Sequence, residues 1–95
     1  MIKEIKFNDL KTIGYSFKVS TNDDIDNYTV IDYNEDVKYP NYSVSGVEIV
    51  LSKNDNNIKR KKVIFYKYSF LKHAIKNKFE LVFRLLDDDF IKVLF

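Results

Sequence analysis

The chain has no cysteine and no tryptophan, and among its 95 residues it holds only one proline, two glycines, one histidine and one methionine. Each scarcity excludes something. Without cysteine there is no disulfide staple, no thiolate nucleophile and no thiolate metal ligand. With Gly14 and Gly46 alone, no glycine-rich loop can cradle a phosphate. His73 has no second histidine or cysteine to complete a zinc site, so a surface position is expected for it. No Gly-x-Ser-x-Gly elbow is present, and no paired carboxylates stand at a recognisable catalytic spacing. No apolar run approaches the roughly 20 residues of a membrane span. Residues Met1 to Lys6 lack the apolar core of a secretory signal. These absences predict a non-enzymatic, cytoplasmic protein with no catalytic residue, no metal and no cofactor.

Arginine is scarce too. Only Arg60 and Arg84 are present, and the other 14 of the 16 basic residues are lysine. There is a single alanine, Ala74, while asparagine, isoleucine, lysine and tyrosine abound. Such a bias follows from AT-rich codons and points to a low-GC bacterium or to a phage or plasmid living in one.

What is plentiful is apolar and aromatic. Hydrophobic residues make up 45% and aromatics 16% of the chain, enough for a packed core rather than disorder. A chain of this length forms one domain, here residues 1–95, and buries about 60% of its unfolded surface. The net charge is only +2, but it is unevenly placed. Residues 21–40 carry six acids against Lys38, and residues 61–80 carry six lysines against Glu80. That asymmetry shapes the surface field and the choice of partner, not the fold.

The stretch Val47 to Tyr68 organises the pattern. Two β-type runs flank the polar segment Lys53 to Asn57, which reads as a β-hairpin with a basic second strand. The second run is apolar on both faces at Val63-Ile64-Phe65-Tyr66, which predicts a central strand over Lys61 to Tyr68. The first run extends back to Tyr42 and changes phase at Ser45-Gly46, which predicts a β-bulge there.

Upstream, Ile2 to Phe7 reads as a strand, and Asn8-Asp9 supplies turn chemistry. Lys11 to Val19 alternates, with Ile13, Tyr15, Phe17 and Val19 on one face. These two strands are expected to pair as a hairpin. Tyr28 to Tyr33 reads as a third strand between an acidic loop over residues 20–27 and a loop around Pro40 over residues 34–41. Ser69 can cap a helix near residues 69–78 whose apolar stripe is Phe70, Leu71, Ala74 and Ile75. For the last segment, Phe79, Leu81, Phe83 and Leu85 alternate, and Ile91, Val93 and Phe95 continue the same face. A hairpin turning at Asp87-Asp88-Asp89 fits this better than one long helix, because three aspartates oppose the dipole at a helix C-terminus. The expected fold is α+β: a mostly antiparallel sheet of about five to seven strands with that one helix.

Two sets of residues are candidate contacts. The first is acidic, with tyrosine anchors: Asp23, Asp24, Asp26, Tyr28, Tyr33, Glu35 and Asp36. Such a surface can meet a basic groove on another protein and imitate nucleic-acid phosphate. The second is basic: Lys59, Arg60, Lys61, Lys62, Tyr66, Lys67 and Tyr68. Here lysines can neutralise phosphates while rings stack on unpaired bases. The plainer reading of this second set is an edge strand that lysine protects from aggregation. The triplet Asp87-Asp88-Asp89 reads as a solvated turn, since it lacks the glycine and distal glutamate of a calcium loop.

The reading preferred from sequence is a small protein-binding module. It suits a phage or mobile-element inhibitor of a host machine, such as a host nucleoprotein complex, of the anti-defence or anti-CRISPR type. The alternative is a sheet-based nucleic-acid-binding protein using the basic hairpin over residues 59–68. Near-balanced charge and few arginines favour the first.

Overall fold

The computed structural model describes residues 2–20, 24–39, 44–55 and 58–95; of Tyr39 and Asp55 only the backbone is described. It is an α+β fold with mostly antiparallel sheets. The elements in order are β1 (Lys3–Lys6), α1 (Phe7–Leu10), β2 (Ser16–Ser20), β3 (Ile25–Tyr39), β4 (Val44–Asp55), β5 (Ile58–Lys67), α2 (Tyr68–Asn77), β6 (Glu80–Arg84) and β7 (Phe90–Leu94). They build a four-stranded antiparallel sheet in the order β2-β3-β4-β5 and a three-stranded sheet in the order β1-β7-β6.

The inner faces of both sheets meet in one core. The larger sheet contributes Phe17, Val19, Tyr28, Val30, Val47, Ile49, Leu51, Ile64 and Tyr66; the smaller contributes Ile5, Ile91 and Val93. Tyr66 ties the layers together, with Phe7, Phe83 and Phe95 each edge-on to its ring at 5.1–6.1 Å. Helix α2 buries only Leu71 and Ala74 of its apolar stripe, leaving Phe70 and Ile75 largely exposed.

The C-terminal hairpin forms as its alternation predicts, with Leu81 opposite Val93 and Phe83 opposite Ile91. Asp87 and Asp88 both adopt positive φ (53° and 66°), and the Asp89 amide donates to the Leu86 carbonyl at 3.0 Å. Positive φ at both central positions is the two-residue turn whose twist matches that of paired strands, and aspartate tolerates it.

Several expectations are corrected. β1 does not pair with β2; it lies parallel to β7, with Ile5 opposite Val93. The chain between β1 and β2 forms a single helical turn, α1, followed by a turn with Gly14 at φ 90°, so Ile13 is exposed rather than part of the buried face. The acidic segments taken as loops are largely strand, since β3 runs from Ile25 to Tyr39. It stays paired because it bulges twice, around Ile31 and around Asp36, whose φ is 60°. The bulges therefore lie on β3; Gly46 keeps unbroken register with Lys67. The β4–β5 strands extend into the expected turn, to Asp55 and from Ile58. The expected loop residues Pro40 and Asn41, the strand start at Tyr42 and the turn residues Asn56 and Asn57 lie outside the described residues. β5 is an edge strand, not a central one, and only Ile64 and Tyr66 are buried along it. Ser69 lies inside α2; the capping position is Lys67, and no side chain bonds there.

Candidate functional site

The register of the larger sheet sorts its side chains into two faces. One inward row runs Arg60, Lys53, Tyr28, Phe17 across the four strands. Three residues of this row face the β6–β7 turn and build an ionic cluster between the sheets. Lys53 is only 3% exposed. Its Nζ lies 2.7 Å from Asp87, 3.4 Å from Asp26 and 3.9 Å from Asp89. Asp87 also accepts from Arg60 at 3.0 Å. The Tyr28 hydroxyl donates to Asp89 at 2.6 Å, where Asp89 is 1% exposed.

The cluster is held by opposed forces. Burial pulls the Lys53 ammonium down, but the hydrogen bond to Asp87 and the charges of Asp26 and Asp87 outweigh it and hold it above the ordinary lysine value. The same Lys53 bond, with Arg60, holds the Asp87 carboxyl below the usual range. Burial pushes Asp89 up, the Tyr28 bond opposes this, and the neighbouring Asp26 adds to the rise. Burial and the bond to Asp89 push the Tyr28 phenol far up. The cluster's cations are Lys53 and Arg60, and among the described residues no group of three or more His, Cys, Asp or Glu side chains is placed to hold a metal ion. Sequence reading missed this cluster because Lys53 and the aspartate triplet each look like solvated turn residues. The one available signal was Lys53 sharing the parity of Val47, Ile49 and Leu51, which placed its stem on the buried face.

The acidic set is therefore dispersed. Tyr28 is wholly buried and Asp26 serves Lys53, so neither presents a contact surface, which corrects the reading of Tyr28 as an anchor. Asp23 lies outside the described residues, and Asp24 is exposed just before β3. Tyr33 is half-buried and donates to Glu35 at 3.1 Å; burial and that bond push its phenol up to about 12. Asp36 accepts from the Tyr68 hydroxyl at 2.8 Å, and its own amide donates back to that oxygen. Asp32, Glu35 and Asp36 remain together as an exposed acidic stretch of β3.

The basic set divides as well. Tyr66 is 2% exposed, and Tyr68 is half-buried with its ring packed against the core and its hydroxyl tied to Asp36, so neither ring is a free stacking platform. Arg60 is committed to Asp87. Lys59, Lys61, Lys62 and Lys67 make no ion pair among the described residues. His73 is exposed on α2, where it meets the Asn77 side chain and the Phe79 ring.

The outward face of the larger sheet carries three rows of exposed or half-buried residues. Lys59, Asn54, Asn27 and Lys18 form one; Lys61, Ser52, Thr29 and Ser16 form the next. Beside them Val63 stands opposite Val50, and Val50 opposite Asp32. Val63 is 47% exposed and the bulged Ile31, next to Asp32, is 40% exposed. A separate cavity of about 290 Å³, mostly apolar, opens between α1, α2 and the end of β7, lined by Lys6, Phe7, Asn8, Ile75, Leu94 and Phe95. Comparison of the chain with protein families, characterised proteins and solved structures gives no match.

Proposed function

We propose that the chain is a small non-enzymatic protein-binding module that grips its partner with the outward face of the four-stranded sheet. The observation that carries this reading is the apolar patch of exposed Val63 and Ile31 and half-buried Val50, beside polar rows and flanked by the acids of β3 and the lysines of β5. An apolar centre within a charged, polar rim is the anatomy of a specific protein interface. Opposite charges on the two strands that flank β4 set the orientation of a docking surface. Small size, AT-rich composition and split charge suit a phage or mobile-element inhibitor of a host machine, of the anti-defence or anti-CRISPR type, acting in the host cytoplasm.

The nucleic-acid alternative keeps its lysines but loses its rings, because Tyr66 is in the core and Tyr68 is packed against it. The test is affinity capture from a low-GC bacterial lysate with the wild-type chain and with Val63→Glu, both checked for fold by circular dichroism. A protein retained by the wild type and lost with Val63→Glu is expected; identical captured sets would sink the interface. In parallel, DNA and RNA binding is measured across a salt series for wild type and Lys61→Glu/Lys62→Glu. Salt-dependent binding abolished by the double change would transfer the function to nucleic acid.

A further inference from the structure

We propose that β5 is a docking strand: an acidic, extended segment of the partner adds to it as a fifth strand of the larger sheet. This rests on the protein-binding reading above and names the kind of segment that is bound.

The first observation is topological. β5 is an edge of the larger sheet, and no strand pairs with its outer side among the described residues. It is ten residues long, and its stretch from Ile58 to Lys61 is exposed on both faces. An edge of that length presents a row of backbone donors and acceptors, the element that strand addition uses.

The second observation is the charge on that edge. β5 contains Lys59, Arg60, Lys61, Lys62 and Lys67 and no carboxylate. Among the described residues, only Arg60 of these has a counter-charge, from Asp87. The lysines stand on both faces of the strand: Lys59, Lys61 and Lys67 share the outward face, and Lys62 lies on the other. A flat anion would meet only one face. A strand laid alongside sends alternate side chains to both, so carboxylates at successive positions can reach Lys61 outside and Lys62 inside.

The same charges select the occupant. A second copy of β5 would set lysine against lysine, and like charges directly opposite one another destabilise a strand pair. An apolar strand would cover lysines without compensating them. An acidic strand is the one that gains, so the feature that blunts the edge against aggregation also specifies what may join it. Exposed Val63 and Ile58, 47% and 62% exposed, leave room for apolar side chains between the carboxylates.

The probe is a synthetic peptide alternating glutamate and valine, matched in length to β5. Its controls are a lysine-for-glutamate peptide, single-stranded oligo-dT, and two versions of the probe N-methylated at odd or at even amides. Affinity is read by fluorescence anisotropy, and the contact by hydrogen exchange of the β5 amides. Strand addition uses the amides along one side of the peptide only. One N-methylated version must therefore bind like the parent and the other must fail. Lys61→Glu/Lys62→Glu is expected to weaken the parent peptide at least about tenfold. β5 amides should slow in exchange when the peptide is bound. No binding at low salt, equal binding of both N-methylated peptides, or displacement of the peptide by oligo-dT would overturn the proposal. So would a wild-type dimer whose β5 amides are already protected without peptide. Ile31→Glu alters the outward-face patch from β3, two strands away from β5, and leaves the β5 edge, its lysines and Val63 unchanged, so failure of strand addition and failure of the outward-face interface are read separately.

Discussion

Lys53 carries a full charge at 3% exposure, and this is sustained only because three carboxylates surround its ammonium. Removing one partner of a buried ionic group leaves the others uncompensated, which is the costly way to alter such a cluster. Lys53→Met fits the aliphatic stem but leaves the buried Asp89 beside Asp26 with the Tyr28 hydrogen bond and, among the described residues, no cation in reach. The expected loss is about 3 kcal/mol, read as a fall of roughly 15 °C in Tm for a domain of this size. Adding Asp89→Asn to Lys53→Met should restore part of it, because the two sites share one network. Arg60→Met makes the contrast. Its guanidinium also reaches Asp87, but both side chains are about half exposed, and such pairs contribute little. Its Tm should stay close to wild type. Equal losses for Lys53→Met and Arg60→Met would show that burial does not decide the cluster's energetics.

Gly46 shows the same logic in an element. Its φ is not in the left-handed region, so freedom of the backbone is not its purpose. A Cβ there would run into the Tyr66 carbonyl of β5 and come within 2.7 Å of the Phe65 ring. A carbonyl held in a strand cannot give way as a flexible side chain can. Gly46→Ala should therefore push β4 and β5 apart at this point and cost about 2 kcal/mol, measured by urea unfolding; an unchanged midpoint would mean the strands have slack. At this scale the chain was partly legible. The β6–β7 hairpin could be read because its alternation is local and its turn residues accept positive φ. The helix could be read from its stripe, although Phe70 and Ile75 stay exposed. The partner of β1 could not, because pairing Ile5 with Val93 is a contact between the two ends of the chain. The place of β5 could not either: an apolar run on both faces is a local property, whereas edge or centre is decided by strand order. The acidic residues of β3 suggested loops, and two bulges let them remain in a strand. The candidate surface was read as residue types and missed as geometry, since Tyr28 and Tyr66 went to the core.

Over the whole molecule these placements give a lopsided dependence of stability on pH. On the acid side two aspartates oppose each other. The folded value of Asp87 is lowered, so it stabilises the fold above the unfolded carboxylate range, and that contribution is lost as pH falls through its folded value. The folded value of Asp89 is raised, so its contribution is present below the unfolded value and lost as pH rises through the folded one. The two slopes offset, and the acid limb should be shallow. On the alkaline side nothing offsets. Burial raises Tyr15, Tyr28, Tyr33 and Tyr66 above the ordinary tyrosine value, the bond to Asp36 raises Tyr68, and the bond to Asp87 with the charges of Asp26 and Asp87 raises Lys53 despite its burial. For all of them, the unfolded chain releases its proton first, from about pH 10 upward. The most buried, Tyr28 and Tyr66, each contribute a slope approaching 1.4 kcal/mol per pH unit, roughly, and all the groups act in the same direction. Unfolding midpoints in urea should hold nearly level between mild acid and pH 9 and fall steeply above pH 10, in round numbers taken from the unfolded-state values. Tyr66→Phe removes one of these groups while keeping the ring packed edge-on among Phe7, Phe83 and Phe95. It should make the alkaline limb shallower by about one group's slope and leave the acid limb unchanged; a limb as steep as wild type would mean that Tyr66 ionises in the folded protein.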